Sequence, residues 1–314
     1  MNAAEILPVT LIDRLPAVRG RITAETLLSG ITWFRVGGPA EVMFRPADTE
    51  DLAQFLRHCP PEIAVTPVGV GSNLLVRDGG VRGVVVRLGR AHADIEIRGH
   101  EIHVGGATLD VNVALTCQQA GIAGLEFLRG VPGTIGGAVR MNAGAYGREI
   151  KDVLREAEVV DRAGNRLILT AAELGLSYRH SELPPDSLVT RAVLVGEPGD
   201  RAAIAGKIAE ITQAREATQP VRSRTGGSTF ANPTDPQAKG RKAWELIDAA
   251  GCRGLAIGGA RISELHCNFL INEGTATASD IEALGEEVRR RVREMSGVEL
   301  EWEIRRIGLP GGRM

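Results

Sequence analysis

Cysteine is scarce in this chain, and no pair of cysteines has the spacing of a redox or zinc motif. The four cysteines, Cys59, Cys117, Cys252 and Cys267, form no CxxC pair. They are therefore interpreted as reduced thiols of a cytoplasmic protein, lying in the core or near the surface. No metal site is predicted.

An excess of charge of either sign is also missing, and so is a long apolar run. The formal net charge is -2, which indicates no general affinity for nucleic acid or for an anionic membrane. No apolar stretch is long enough to span a bilayer, and the N-terminal MNAAEILPVT, which contains Glu5, lacks the pattern of a signal peptide. We therefore expect a cytoplasmic monomer, and 314 residues suggest about two domains.

Glycine, by contrast, is concentrated in the stretch from Gly124 to Gly147, GLEFLRGVPGTIGGAVRMNAGAYG. Glycine permits positive φ angles and a close approach of the backbone to a ligand, so such a stretch suits a loop wrapped around a pyrophosphate. It lacks the Lys-Ser/Thr ending of a Walker phosphate loop. On spacing alone, a purely structural connection explains the stretch equally well.

A second glycine cluster runs from Gly69 to Leu74. It begins like a Rossmann fingerprint but has Leu74 where the last glycine belongs. Two such loops, contributed by successive α/β units, would be able to close on one extended dinucleotide.

The periodicity of the apolar residues predicts alternating strands and helices from Ile31 onwards, after a helical lead-in over residues 1–30. Asp48 is predicted to cap a first helix, and Ser279 with Glu282 to form a capping box at the start of a long helix near the C-terminus. Residues 298–305 alternate between apolar and charged side chains and are predicted to form the last strand.

Four motifs occur in order along the chain: GVGSNLLV (69–76), GVPGTIGGAVRMNAGAYG (130–147), YRHSEL (178–183) and GGSTFANP (226–233). With them the chain resembles the UDP-N-acetylenolpyruvoylglucosamine reductases, flavoenzymes of peptidoglycan precursor synthesis. The resemblance implies an α+β fold, with a two-subdomain FAD-binding module of the p-cresol methylhydroxylase type and a smaller α+β substrate-binding domain. We expect the first subdomain over residues 1–90, with the C-terminal strand 298–314 packed against it, the second over 91–205, and the substrate-binding domain over 206–297.

The resemblance also implies the reaction. NADPH would reduce FAD, and the reduced flavin would then reduce the enolpyruvyl group of the UDP-sugar substrate, which gives UDP-N-acetylmuramate. Many oxidases of this fold tether FAD through a histidine or a cysteine in the first glycine loop. The segment from Val68 to Val76 contains neither, so FAD is expected to be bound non-covalently.

Three residues match catalytic positions of the family. Taken alone, Ser228 is interpreted as a turn residue, Arg179 as an arginine in a surface turn, and Glu303 as a solvated carboxylate. The resemblance implies that Ser228 donates a proton to the α-carbon, that Arg179 holds the substrate carboxylate, and that Glu303 stabilises the enolic intermediate. Glu301 points to the same face as Glu303 and is its competitor for that position.

The resemblance further implies a set of FAD-binding residues in the two glycine loops. They are Gly69, Val70, Gly71, Ser72, Asn73, Leu74, Pro132, Gly133, Thr134, Gly136, Gly137, Ala138, Asn142 and Gly144. The substrate is expected to contact Tyr178, Arg215 and Asn232.

Two features depart from parts of the family. The strand predicted at Leu188 follows Arg179 so soon that it leaves no room for an inserted segment with a substrate-clamping tyrosine, so the shorter class without it is expected. Ala231 stands where a lysine is common. Two rival functions remain: an FAD oxidase of the same fold acting on an alcohol, hydroxy acid or sugar lactone, and a non-catalytic flavin- or nucleotide-binding protein.

Overall fold

The computed structural model describes residues 10–312, and its N-terminal part builds a four-stranded mixed sheet. The elements of this part are β1 (Arg21–Leu27), β2 (Pro39–Arg45), helix α1 (Thr49–His58), β3 (Val65–Pro67), β4 (Leu74–Val76) and β5 (Val81–Val86). The strand order is β1-β2-β5-β3, with β1 antiparallel to β2 and the other two pairs parallel. The Asp48 side chain accepts a hydrogen bond from the Asp51 amide at 2.9 Å and caps α1, as predicted.

The predicted helical lead-in is wrong for the described residues 10–30, because most of this segment is the edge strand β1; residues 1–9 lie outside the described part. Every side chain of β1 is at least partly exposed. The strand is therefore held by its hydrogen-bond ladder with β2, and it lacks the alternation of apolar side chains that would mark a half-buried strand in the sequence.

The middle of the chain forms a five-stranded antiparallel sheet with helices against it. Its elements are β6 (Ile95–Arg98), β7 (Glu101–Gly105), α2 (Asp110–Ala120), β8 (Ile122–Ala123), α3 (Ile135–Arg140), β9 (Gly144–Ala145), β10 (Arg148–Glu149), β11 (Leu154–Val160), β12 (Arg166–Thr170), β13 (Leu188–Val195), β14 (Glu197–Pro198) and α4 (Arg201–Thr218). The strand order is β12-β11-β13-β7-β6. Helix α2 ends at Gly121, whose φ of 72° closes it in the left-handed conformation.

The last part of the chain combines a small antiparallel sheet with two helices. Its elements are α5 (Ala243–Ala249), β15 (Ala256–Ile257), β16 (Ala260–Ile262), β17 (Leu270–Asn272), α6 (Ala278–Ser296) and β18 (Arg305–Ile307). Its core includes Ile281, Leu284 and Val288 of α6 and is continuous with Phe34 from the N-terminal part. Within residues 10–312, no helix combines the length and the apolar composition needed to cross a membrane.

The boundary expected at residues 205–206 falls inside α4. Ile204 and Ile208 of this helix both belong to the core of the five-stranded sheet. We therefore propose that the third domain begins after α4.

The C-terminal segment leads back to the first glycine loop. Val298, Leu300 and Ile304 are buried, as the alternating pattern predicts, but regular strand is confined to β18. Strand β18 pairs in parallel with β4, directly after the Gly69–Leu74 loop. The residues around Glu303 are thereby fixed beside that loop.

Candidate active site

The two glycine loops lie side by side. The Ser72 hydroxyl donates a hydrogen bond to the Pro132 carbonyl at 2.8 Å. A Cβ placed on Gly69 would lie 2.9 Å from Thr134 Oγ1, so the loops approach more closely than a larger residue would permit. Gly71 has a φ of +66°, in the left-handed region that favours glycine.

A cavity of about 260 Å³ opens beside the contact between the loops. Five predicted cofactor residues line it, and these are Gly69, Val70, Thr134, Gly136 and Gly137. Its other walls, which the sequence did not predict, include residues 67–68, residues 86–90 at the end of β5 and beyond it, Ala93, residues 106–107 before α2, Arg140 and residues 187–189 at the start of β13. No motif marks these wall segments, because their part in the cavity arises only from the packing of the two sheets.

Gly136 and Gly137 meet different surroundings. A Cβ on Gly136 would lie 3.0 Å from the Gly106 carbonyl oxygen and 3.1 Å from that of Val189, so Gly136 lets α3 pack against backbone. A Cβ on Gly137 would meet only Thr134 Oγ1, at 3.7 Å, and Gly137 lines the cavity. The residues therefore fit an elongated dinucleotide such as FAD, since a side chain at 137 would fill space that the structure leaves open.

Arg179 lies at the tip of a tight turn that places its guanidinium between two parts of the chain. The turn is closed by the reciprocal backbone hydrogen bonds of Ser177 and His180, both 3.1 Å. Arg179 Nε donates to Glu303 Oε1 at 2.9 Å, and Nη2 donates to the Gly144 carbonyl at 3.0 Å. The φ of Arg179 is +53°, a strained conformation for a non-glycine residue.

Glu303, and not Glu301, faces Arg179. The Glu303 side chain is 17% exposed, whereas Glu301 is exposed and its carbonyl accepts a hydrogen bond from Ala231. Burial raises the pKa of the Glu303 carboxyl, and the Arg179 guanidinium opposes that shift. The Glu303 carbonyl accepts from the Asn73 side chain at 3.2 Å, which ties it to the first glycine loop.

Ser228 belongs to a segment that runs alongside Glu303. The Thr229 carbonyl accepts a hydrogen bond from the Glu303 amide at 2.8 Å, and Phe230 forms a β-bridge with Trp302. The buried Asn268 side chain bonds both the amide and the carbonyl of Phe230, at 3.0 and 2.8 Å. Within residues 10–312 the Ser228 hydroxyl has no hydrogen-bond partner, so it is free to act on a ligand.

The predicted substrate residues contact different parts of the protein. Tyr178 lies beside Arg179, whose guanidinium carbon is 5.1 Å from the centre of its ring, and the Asn232 side chain accepts a hydrogen bond from the Ala243 amide at the start of α5. Arg215 donates weakly to the Arg129 carbonyl at 3.4 Å. Burial lowers the pKa of the Arg215 guanidinium.

Asn142, one of the predicted cofactor-binding residues, has a side chain that is hydrogen-bonded within the protein. Its side chain is fully buried and faces neighbouring segments of the protein. The side chain donates to Ser177 and Glu149 and accepts from the Lys151 amide, so both of its polar atoms are bonded to neighbouring segments of the chain.

Two family models match the chain. A model described as the C-terminal domain of UDP-N-acetylenolpyruvoylglucosamine reductase matches residues 219–307, and a model described as an FAD binding domain matches residues 40–170. The first covers Ser228 and Glu303, and the second covers both glycine loops.

Relatives and solved structures agree with these matches. The chain is 61% identical to UDP-N-acetylenolpyruvoylglucosamine reductase of Parvibaculum lavamentivorans over 98% of both chains, and 62% identical to that of Acidiphilium cryptum over 94% of both. It is similar to the crystal structure of the same enzyme from Thermus caldophilus, with 36% identity, a TM-score of 0.78, and coverage of 92% of this chain and 99% of that one.

A more distant likeness concerns the fold alone. The 6-hydroxy-D-nicotine oxidase of Arthrobacter nicotinovorans is 12% identical with a TM-score of 0.55, over 93% of this chain and 88% of that one. The expected α+β fold with an FAD-binding module is confirmed. The chain belongs to the UDP-N-acetylenolpyruvoylglucosamine reductase family and is an FAD-dependent oxidoreductase.

Proposed function

We propose that Arg179, Glu303 and Ser228 carry the step in which this enzyme reduces its UDP-sugar substrate. The enzyme uses NADPH and FAD to reduce the enolpyruvyl group of UDP-N-acetylenolpyruvoylglucosamine, which yields UDP-N-acetylmuramate for peptidoglycan synthesis. The observation that carries the residue assignment is the Arg179–Glu303 ion pair, which joins two distant motifs beside the glycine loops.

FAD is proposed to lie along the two glycine loops, with Gly69, Val70, Thr134 and Gly137 against it. Bound FAD supplies hydride chemistry, by taking a hydride from NADPH and delivering one to the enolpyruvyl group. Residues 68–76 contain no histidine or cysteine that would tether it, so binding is non-covalent.

Arg179 is suited to bind the substrate carboxylate. Its guanidinium stays protonated and presents a planar set of donors that matches a carboxylate. Hydride addition at the β-carbon places negative charge on that carboxylate as the α-carbon becomes enolate-like. Arg179 stabilises this charge most strongly when it develops, which lowers the barrier.

Ser228 is suited to deliver the proton that completes the reaction. A serine hydroxyl is a very weak acid, so it donates only to a strongly basic centre such as an enolate carbon. Among the described residues 10–312, its hydroxyl makes no hydrogen bond. Glu303 pairs with Arg179 and is proposed to help stabilise the enolic intermediate.

The rival functions have less support. The likeness to an oxidase at 12% identity concerns the fold alone, and the family matches cover both the cofactor loops and the C-terminal domain. A non-catalytic binding protein would not need Arg179 and Glu303 to be paired beside the loops.

A cytoplasmic monomer that binds neither nucleic acid nor membrane is proposed. The net charge of -2 supports the proposed lack of binding to nucleic acid and to anionic membranes, because the chain has no excess of positive charge to attract them. Light scattering on a sizing column should give the mass of one chain. A concentration-independent dimer mass would contradict the monomer.

The activity is tested by an anaerobic titration of the purified protein. NADPH should bleach the flavin, and the enolpyruvyl UDP sugar should restore its colour with formation of UDP-N-acetylmuramate. Restoration by an oxidised alcohol or lactone product, and not by the enolpyruvyl sugar, would favour the oxidase.

A further inference from the structure

Asn142 lies at the end of the second glycine loop and is held firmly to it. Its amide donates to the Val139 carbonyl at 3.2 Å, and the next amide, of Ala143, donates to Ala138 at 2.8 Å. Its φ is +40°, a region that asparagine tolerates better than most residues. The backbone of Asn142 thus continues from α3, which lines the proposed cofactor cavity.

The Asn142 side chain spans the space between this loop and two other segments. Its Nδ2 donates to the Ser177 carbonyl at 2.9 Å and to Glu149 Oε2 at 3.0 Å, while its Oδ1 accepts from the Lys151 amide at 2.9 Å. Because the Ser177 partner is a carbonyl and the Lys151 partner is an amide, only one orientation of the side-chain amide satisfies both.

The Ser177 carbonyl is also the atom that closes the Arg179 turn. It accepts from the His180 amide at 3.1 Å as well as from Asn142. The guanidinium at the other end of Arg179 donates to Gly144, two residues after Asn142. One loop therefore holds Arg179 twice, at the base of its turn through Asn142 and at its charged tip through Gly144.

We propose that Asn142 is a positioning residue, which acts through Arg179 by fixing the Ser177–His180 turn relative to the cofactor loop. The inference rests on the catalytic role proposed for Arg179. A non-glycine residue at positive φ persists only where its surroundings over-determine it, and the Asn142 hydrogen bond to Ser177 is such a constraint.

The rate should therefore depend on the Asn142 side chain, although its hydrogen bonds go to other protein groups. A displacement of a reacting or binding group by about 1 Å costs on the order of 100-fold in rate. Asn142→Gly removes the side chain but keeps the left-handed backbone without strain. We expect reoxidation of the reduced flavin by the enolpyruvyl sugar to slow by about 10- to 100-fold, with the FAD dissociation constant unchanged.

A double-mutant cycle with Arg179→Ala separates positioning from a general structural role. If Asn142 acts through Arg179, Asn142→Gly should change the reoxidation rate by less than about 3-fold in the Arg179→Ala background. Asp48→Ala, which removes the cap of helix α1 and none of the contacts of Arg179, is the control for lost stability and should leave the rate unchanged. Asn142→Asp keeps the acceptor for Lys151 but replaces the donor to both Ser177 and Glu149 with an acceptor, so it should show the same non-additivity.

The outcomes are distinct. Equal slowing by Asn142→Gly in both backgrounds would overturn the inference, as would a normal rate in Asn142→Gly and Asn142→Asp. A weaker FAD affinity with additive rate effects would restore Asn142 as a cofactor ligand. A normal reoxidation rate in Arg179→Ala would instead remove the role proposed for Arg179.

Discussion

Asp110, the first residue of α2, is fully buried, and neither of its carboxylate oxygens has a hydrogen-bond partner within residues 10–312. Burial raises the pKa of this carboxyl well above its ordinary value. In the unfolded chain an aspartate titrates near pH 3.9, at about its reference value. The stability that the neutral carboxyl contributes is therefore present below about pH 4 and is lost as the pH rises.

Asp110→Asn should remove this pH-dependent loss of folding stability, because the amide has the same shape as the carboxyl group and carries no charge. We expect the apoprotein variant to exceed the wild type in free energy of unfolding by roughly 1 to 2 kcal/mol at pH 8, with the difference shrinking towards pH 4. Urea denaturation at both pH values measures this. A variant that is less stable than the wild type at pH 8 would show that the carboxylate has a favourable partner.

Glu303 and Glu301 offer a matched pair two residues apart. Glu303→Gln removes the charge that meets Arg179, so reoxidation by the enolpyruvyl sugar should slow by about 10- to 100-fold. Glu301→Gln should stay within about 2-fold, because that side chain is exposed and only its backbone bonds Ala231. Rapid-mixing measurements on both variants decide this, and the reverse ranking would assign the role to Glu301.

At the residue scale, the sequence pointed to Arg179, Ser228 and Glu303 only through motifs that resemble a family. Their spacing along the chain carries no information on their contact, since Arg179 and Glu303 are 124 positions apart. Asn142 was assigned to the cofactor because it belongs to a glycine loop. Its inward orientation depends on a partner, Ser177, that no local pattern links to it.

At the scale of elements, the two adjacent glycines of α3 should respond differently to the same substitution. Gly136→Val would drive its Cβ against two backbone carbonyls, so the apoprotein should lose about 1 to 3 kcal/mol of stability. Gly137→Val places its side chain in the cavity, so the apoprotein should keep its stability but bind FAD at least about 10-fold more weakly. Thermal unfolding and flavin titration of both variants check this. Wild-type FAD affinity in Gly137→Val would move the cofactor away from α3.

Element boundaries show where tertiary contacts override local signals. Helix α6 is capped by Thr277 with Asp280, and the predicted box of Ser279 with Glu282 is wrong. Ser279 instead donates to Asp78, and Glu282 pairs with Arg77 and Arg306. Both residues have side chains that suit a helix cap, but they bind charged residues from distant parts of the sequence instead.

The burial pattern of residues 298–304 was predicted correctly, but the regular strand there was not. Alternation of apolar and charged residues shows which side chains face the core, and it does not show whether a partner strand is present.

At the scale of the whole molecule, the sequence predicted the fold class through family motifs and the strand–helix order through periodicity. The resemblance implied that the C-terminal strand packs against the first subdomain, but nothing in the sequence predicted that β18 pairs with β4, which sets Glu303 beside the first glycine loop. A parallel pair with such a long crossover leaves no local trace. The cavity walls next to β5 and β13 were not predicted either, because they form only when segments distant in sequence pack together.

FAD should be removable from the protein without breaking a covalent bond. The protein should purify yellow, and acid precipitation should release FAD into the supernatant, since no tethering residue lies in the first loop. Added FAD at 100 times its dissociation constant should stabilise the apoprotein by about 2.7 kcal/mol. Flavin that stays with the acid pellet would show a covalent link.

The role of Ser228 tests the central claim most directly, because the two half-reactions differ in whether they need a proton at the α-carbon. In stopped-flow experiments, Ser228→Ala should leave reduction of the flavin by NADPH near the wild-type rate. Its reoxidation by the enolpyruvyl sugar should slow by a factor on the order of 100 to 10,000. Equal slowing of both half-reactions, or of neither, would contradict the assignment of Ser228 as the proton donor.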